Sequence, residues 1–390
     1  MKLMNPIRIK DRLVGPGHPC FVIAEMSANH KKSMARCCNL IEAAKEAGAD
    51  AVKMQTYTPD TMTLNSNKKW FKITKGLWKG YTLYDLYKEA YMPWEWQIEL
   101  KAYANKIGIM LFSTVFDSSS VDFLEKLKVP VHKVASFELG DIPLLKYVAK
   151  KRKPVILSTG MAVQNEIDEA VAALKPGVGR NILLLKCTSA YPAKPSDMNL
   201  RAMDVLRDRY SLNVGLSDHS MDIRVALAAV ARGAVAVEKH FTLRRADGGP
   251  DASFSIEPKE LKTLIHEIRS VEEILGASKL GATKSEGENV LFKRSIFVSA
   301  DIRKGERLTP GNIRVVRPGN GLAPKHYNRI LGKKTRQAIN AGSPLKFVIL
   351  ENIGPFDSAQ GPKITLRAPS EVEGRITKQL HNSGISPHGD

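Results

Sequence analysis

VARGAVAVEKH, residues 230–240, carries a helix end, a glycine and a strand in one short run. Val230 and Ala231 finish an amphipathic helix. Gly233 stops it, because a residue free to take positive φ ends helices readily. Val235 to Val237 then form an apolar strand that finishes in Glu238, Lys239 and His240. EAGADAVKMQ (46–55) repeats the arrangement. Upstream of it Met34, Cys37, Ile41 and Ala44 share one helical stripe, and Gly48 closes it. Two helix–glycine–strand junctions of one design point to a chain built from repeated βα units.

Working outward, six more short apolar runs appear: FVIAE (21–25), IMLFS (109–113), VHKVAS (131–136), PVILS (154–158), NILLLKC (181–187) and NVGLS (213–217). With the two above they make eight. Near-continuous apolar runs of this length suit parallel strands covered on both faces, not half-exposed antiparallel ones. Helical segments separate them. Eight βα units in sequence predict an α/β fold, a (β/α)8 TIM barrel. The helix PKELKTLIHEIRSVEEILG (258–276) ends it. The expected division is a barrel over 1–280, a charged linker over 281–293, a small strand-prone domain over 294–353 and a disordered tail over 354–390.

The connection after the second strand, roughly 57–94, is long, aromatic and basic. A βα connection lies on the active-site side of a barrel. Trp70, Trp78 and Tyr81 within it are candidates for stacking on a sugar ring, and equally for simple packing of a lid.

Composition narrows the function. The chain has 390 residues, 43% of them hydrophobic, and a formal charge of +19. The N-terminal residues have no apolar run like a signal peptide's, and no run suits a membrane span, so a cytoplasmic protein with no membrane partner is expected. The four cysteines, Cys20, Cys37, Cys38 and Cys187, contain no CxxC pair and are expected to be reduced thiols. Lysines and arginines are scattered without interleaved aromatics, so the charge suggests a field for small anions and no nucleic acid.

Barrel strands deliver their C-terminal ends to the active site. Here those ends are polar throughout: Glu25; Lys53 and Gln55; Ser113 and Thr114; Lys133 and Ser136; Ser158; Lys186, Thr188 and Ser189, with Tyr191 nearby; Ser217, Asp218 and His219; Glu238, Lys239 and His240. For single members there are plainer readings. Ser113 and Asp218 could cap helices, and Lys239 should point away from the interior if His240 points in. As a set, lysines with hydroxyls suit a small anion bearing phosphate and carboxylate. No GxxxxGK[ST] segment indicates a nucleotide loop. His219 and His240, on neighbouring strands, could share a divalent metal of the Mn²⁺, Fe²⁺ or Zn²⁺ type, with Glu25 as ligand or base.

The motifs EMSANH (25–30), KMQTY (53–57), FSTVFD (112–117), KVAS (133–136), LSTGM (157–161), KCTSAYP (186–192), GLSDHS (215–220), EKHFTL (238–243) and DGGPDASFS (247–255) together resemble the sialic acid synthase family. RPGNGL (317–322) resembles the antifreeze-like (SAF) domain that closes those enzymes. Within the family, EMSANH, GLWKGYTLYDLY, KCTSAYPA and DGGPDASFS are more similar to pseudaminic acid synthases than to N-acetylneuraminate synthases. Three departures are Ser189 where the latter carry asparagine, Val115 where the family favours proline, and Lys31 and Lys32 after His30 where the family favours asparagine.

The resemblance implies a transferase that joins phosphoenolpyruvate to an N-acylated amino-sugar aldehyde. Lys53, Thr114, Lys133, Ser136, Ser158 and Ser217 would hold phosphoenolpyruvate. Gln55, Tyr191 and Asp251 would contact the sugar, and Ser189 and Glu238 complete the substrate-binding set. Glu25, His219 and His240 would be catalytic. The two histidines would bind the metal, Mn²⁺ first, with Mg²⁺ or Co²⁺ as alternatives. Arg317 would come from the small domain of the other subunit in a domain-swapped homodimer. The competing readings are an N-acetylneuraminate or legionaminate synthase, a Schiff-base aldolase using Lys133 or Lys186, and a non-catalytic carbohydrate-binding protein.

Overall fold

The structure, a computed structural model, describes residues 4–351. The expected tail, 354–390, lies outside the described residues. The chain divides into two compact units, the first ending at Ala277 and the second beginning at Ser278.

The first unit opens with a small antiparallel hairpin, β1 (Ile7–Ile9) and β2 (Arg12–Val14). The sequence reading had no strand there. Its signal is a period-two alternation only three residues long, with Ile7 and Ile9 buried and Arg8 exposed between them. Eight parallel strands follow in chain order: β3 (Phe21–Glu25), β4 (Ala51–Thr56), β5 (Met110–Val115), β6 (His132–Val134), β7 (Val155–Ser158), β8 (Ile182–Cys187), β9 (Asn213–Asp218) and β10 (Ala236–His240). Each pairs with the next, and β10 closes on β3 to complete a barrel. The predicted fold of this part is the observed one.

The strands read as apolar because they are covered on both faces. All five residues of β3 and all four of β7 are buried. Helices supply the outer cover. The stripe expected on Met34–Glu46 buries Cys37, Leu40, Ile41 and Ala44, and Ser33 caps the helix through the Arg36 amide. Gly48 and Gly233 take φ of +93° and +84°, the left-handed turn each junction needs. β6 is shorter than its sequence run. After Val134 the chain tightens into a 3₁₀ turn, Ser136–Glu138, so Ser136 sits in the loop above the strand.

The second unit has its own apolar cluster around Ile296, Val298, Ile313, Ile330 and Leu345. Its β11 (Ser295–Val298) and β12 (Ile313–Val316) pair antiparallel, and much of the rest is held by isolated bridges and turns. Among the described residues, no helix is long and apolar enough to cross a membrane.

Candidate active site

Period-two alternation decides which strand-end residues enter the barrel. Glu25 is level with Lys53, Gln55 with Thr114, Thr114 with Lys133, and Ser217 with both Cys187 and Glu238. These inward residues, with Ser136, Ser158, Tyr191, His219 and His240, line one pocket. Of the expected set, Ser189 and Asp251 stand beside that lining and Arg317 lies in the second unit, exposed just after β12. The outward partners fall elsewhere. Ser113 meets Thr56 at 2.6 Å, and Asp218 pairs with Lys239 at 2.7 Å. Lys186 spans back to the Cys187 carbonyl and Thr188.

The pocket floor is a charge cluster. Lys53 forms an ion pair with Glu25, donates to Thr114 Oγ1 at 2.8 Å, and stands 3.7 Å from Glu238. Lys133 donates to Ser158 Oγ at 2.8 Å and to the Val134 carbonyl. Ser217 donates to Glu238 at 3.4 Å. Ser136 Oγ accepts from the Gly160 amide at 3.0 Å. Two buried ammonium groups ringed by hydroxyls offer donors that an anion with phosphate and carboxylate groups can take over.

Burial acts on all of these groups, and neighbours decide the outcome. Burial pushes Glu25 up to about 7, with Lys53 opposing and Glu238 assisting. For Glu238 the same burial is outweighed by Lys133, Lys53 and His219, which hold it below the usual carboxylate range. Lys53 is raised despite burial, because Glu238 and Glu25 face it. Lys133 is lowered, chiefly by burial. One carboxylate therefore stays charged while its neighbour is poised to hold or release a proton near neutrality.

His219 and His240 face each other with ring centroids 5.2 Å apart. His219 Nδ1 lies 2.9 Å from the Thr188 carbonyl, which can only accept, so Nδ1 carries a proton; burial would lower this imidazole, but Cys187, that carbonyl and Glu238 outweigh it and raise it. Burial, backed by His219 and Lys53, drives His240 well below its ordinary value and keeps it neutral. Among the described residues, His240 Nδ1 and Glu238 Oε2 are buried without a hydrogen-bond partner. No group of three or more His, Cys, Asp or Glu among the described residues is arranged around a common metal position. Two facing imidazoles, His240 neutral and His219 once its Nε2 proton is released, fit a divalent metal whose other positions stay open to water or substrate.

An aromatic wall stands on the histidine side. The Tyr191 ring is 4.4 Å from His219, 5.1 Å from Phe254 and 5.7 Å from Trp78. Trp78 reaches this wall from the long connection and donates to the Pro250 carbonyl at 2.9 Å. The other two stacking candidates are placed differently. Trp70 is 75% exposed under Lys69, and Tyr81 donates to Glu89. Asp251 is turned onto Ser27 Oγ, at 2.5 Å, and the Ala28 amide.

Sequence reasoning missed four lining residues, Phe116, Ala135, Phe137 and Cys187. Phe116 and Phe137 lie just past strand ends, where only the polar residues drew attention. Cys187, expected only to be a reduced thiol, is one, and it faces inward beside Ser189, 3.7 Å away, and His219, 3.9 Å away. Burial would raise this thiol, but His219, Ser136 and Ser189 outweigh it and bring it to about 7. Its alternation with Lys186 carried the signal.

The NeuB family pattern matches residues 40–280, and the SAF domain pattern matches residues 293–351. The pseudaminic acid synthase of Campylobacter jejuni subsp. jejuni serotype O:23/36 (strain 81-176) is 42% identical over 326 residues, covering 84% of this chain and 95% of that protein. The pseudaminic acid synthase of Helicobacter pylori (strain ATCC 700392 / 26695) is 40% identical over 328 residues, covering 84% and 96%. The solved structure of the N-acetylneuraminic acid (sialic acid) synthetase from Leptospira borgpetersenii serovar Hardjo-bovis, in complex with citrate, aligns with a TM-score of 0.67 and 34% identity, covering 74% of this chain and 97% of that one. With its barrel and its closing SAF domain, the chain belongs to the NeuB family.

Proposed function

We propose that the protein is an enzyme that condenses phosphoenolpyruvate with 2,4-diacetamido-2,4,6-trideoxy-L-altrose and water, giving pseudaminic acid and phosphate. The observation that carries this is the pairing, in one pocket, of a lysine–hydroxyl floor with a two-histidine wall. The similarity to two pseudaminic acid synthases over 84% of the chain supports the choice of sugar.

In this reading Lys53, Thr114, Lys133, Ser136, Ser158 and Ser217 bind the phosphate and carboxylate of phosphoenolpyruvate. Gln55, Tyr191 and Asp251 orient the acyl-amino sugar. C3 of phosphoenolpyruvate forms a bond to the aldehyde carbon, whose oxygen takes up a proton. Water adds at C2 and gives up a proton. The tetrahedral centre then expels phosphate by breaking its C–O bond, leaving the 2-oxo acid. Glu25, whose carboxyl titrates near neutrality, moves the proton at the aldehyde oxygen or the incoming water. The two lysines stabilise the negative charge that develops. A divalent metal held by His219 and His240, Mn²⁺ first, would supply Lewis-acid polarisation of the aldehyde.

The test is incubation with phosphoenolpyruvate, Mn²⁺ and, separately, each candidate hexose, with products identified by mass and sugar NMR. Activity confined to N-acetylmannosamine would sink the pseudaminate assignment in favour of N-acetylneuraminate. If ¹⁸O on the bridging C–O oxygen stayed in the sugar acid, cleavage would not follow the C–O route. The protein is proposed to work in the cytoplasm as a domain-swapped homodimer, with Arg317 of the partner subunit closing the site. Mixing inactive R317A and H219A chains under exchanging conditions should then restore activity. Failure of the mixture to recover would argue for a site complete in one chain.

A further inference from the structure

The loop after β3 contains a residue in an unfavourable backbone state. Ser27 takes φ +44°, the left-handed region that non-glycine residues enter at a cost. Glycine would take this angle freely. Ser27 is also 5% exposed, so its hydroxyl is not there to meet solvent. A buried serine in a backbone state suited to glycine calls for a reason in its side chain.

The hydroxyl supplies one. Ser27 Oγ donates to Asp251 Oδ2 at 2.5 Å and accepts from Gln55 Nε2 at 2.9 Å. The same Gln55 amide nitrogen lies 3.2 Å from Glu25 Oε1. Asp251 Oδ2 also accepts from the Ala28 amide at 3.3 Å. A chain of contacts therefore runs from the loop after β10, through Ser27, to Gln55 on β4 and Glu25 on β3. A hydroxyl is the only group of this size that can donate to a carboxylate and accept from an amide at once. The direction it sets is specific. It fixes Gln55 with its nitrogen toward Ser27 and Glu25, so its carbonyl oxygen is turned elsewhere as an acceptor. It also holds one oxygen of Asp251.

We infer that Ser27 is a positioning residue for the sugar subsite: it sets the amide orientation of Gln55 and the rotamer of Asp251, and so helps decide which acyl-amino sugar is accepted. This rests on the proposed function, in which Gln55 and Asp251 meet the sugar. Ser27 itself is not among the residues that line the pocket. Phosphoenolpyruvate, held by the lysines and hydroxyls across the pocket, should not sense it.

The test is steady-state kinetics of S27G and S27A with the 2,4-diacetamido sugar and with N-acetylmannosamine. Each variant should raise KM for the 2,4-diacetamido sugar at least tenfold, leave KM for phosphoenolpyruvate within twofold, and narrow the preference between the two sugars. S27G should melt no lower than S27A, since glycine relieves the backbone. In a double-mutant cycle, S27G with D251N should lose little more than D251N alone, because both changes break one contact chain. Unchanged sugar KM and preference in S27G, or equal rises in both substrates' KM, would overturn the inference and leave the function standing. No turnover by the unaltered protein with any sugar would overturn both.

Discussion

Two buried lysine–carboxylate pairs sit on the closing strands of the barrel and differ in nearly everything but composition. On the outer face, Lys239 bonds Asp218 Oδ2 at 2.7 Å and the Ser220 carbonyl at 2.6 Å, while Asp218 Oδ1 accepts from the Ser220 amide. That pair is closed and locally satisfied. On the inner face, Lys53 is shared between Glu25 and Glu238, and Glu238 Oε2 has no hydrogen-bond partner among the described residues. Lys53 is divided between two carboxylates, Lys133 also acts on Glu238, and hydrogen-bonding capacity is left unspent in a pocket open to a ligand. A closed pair holds a structure together, whereas an open one waits for substrate. Which it becomes depends on the face of the strand, and so on one residue of register.

The sharpest way to break the comparison is to remove each lysine in turn. K53M should fold, because Glu25, already raised to about 7, can take up a proton in its place. Its kcat should fall by roughly 10³–10⁴-fold, about 4–5.5 kcal/mol of transition-state stabilisation. K239M should do the reverse. It strands Asp218, which is 1% exposed, and should lower unfolding free energy by about 3–5 kcal/mol in urea titrations. Turnover per folded molecule should hold. An inactive but stable K239M would reverse the roles assigned to the two faces.

A third buried ionisable group solves the problem by staying neutral. Burial lowers His30 to about 4, with the Ala90 carbonyl opposing and Lys32 assisting. An unfolded histidine takes up its proton near pH 6.5, which the folded one resists until about pH 4. The stabilisation is therefore present above pH 6.5 and lost as pH falls toward 4, by about 3 kcal/mol at the lower end. H30Q should lack this part of the acid destabilisation. Parallel stability–pH curves for the two proteins would count against it.

The smallest effect is expected at the aromatic wall. W78F removes the bond to the Pro250 carbonyl and keeps a ring near Tyr191. The loss of about 0.5–1.5 kcal/mol corresponds to a rise in sugar KM of roughly two- to tenfold, with kcat nearly unchanged. An equal fall in kcat would move Trp78 into the chemistry.

The contrast also explains what could be read from the sequence. The barrel was legible because eight apolar runs alternate with amphipathic helices, a signal repeated along the whole first unit. The strand-end residues were legible as a set, since such apolar strands do not end in charge without a use. The face each residue takes was only partly legible. Lys239 was expected to point outward from its alternation with His240, and it does. The same rule, applied one strand pair earlier, would have exchanged Lys186 for Cys187. The hairpin β1–β2 escaped notice because three-residue strands are too short to establish a period. Ser27 and Phe137 lie in loops, where no period exists and only coordinates bring residues together.

The closure of β10 on β3 sets His240 level with Glu25, so the first and last strands of the barrel border the same pocket. During synthesis the ribosome releases Glu25 and Lys53 long before it releases Glu238 and His240. Without the final strand, the earlier carboxylate and ammonium would border an unclosed sheet and lack Glu238 and His240 as neighbours. No shorter nascent barrel can gather the complete reacting group, so the site is assembled in the same event that ends the folding of the barrel.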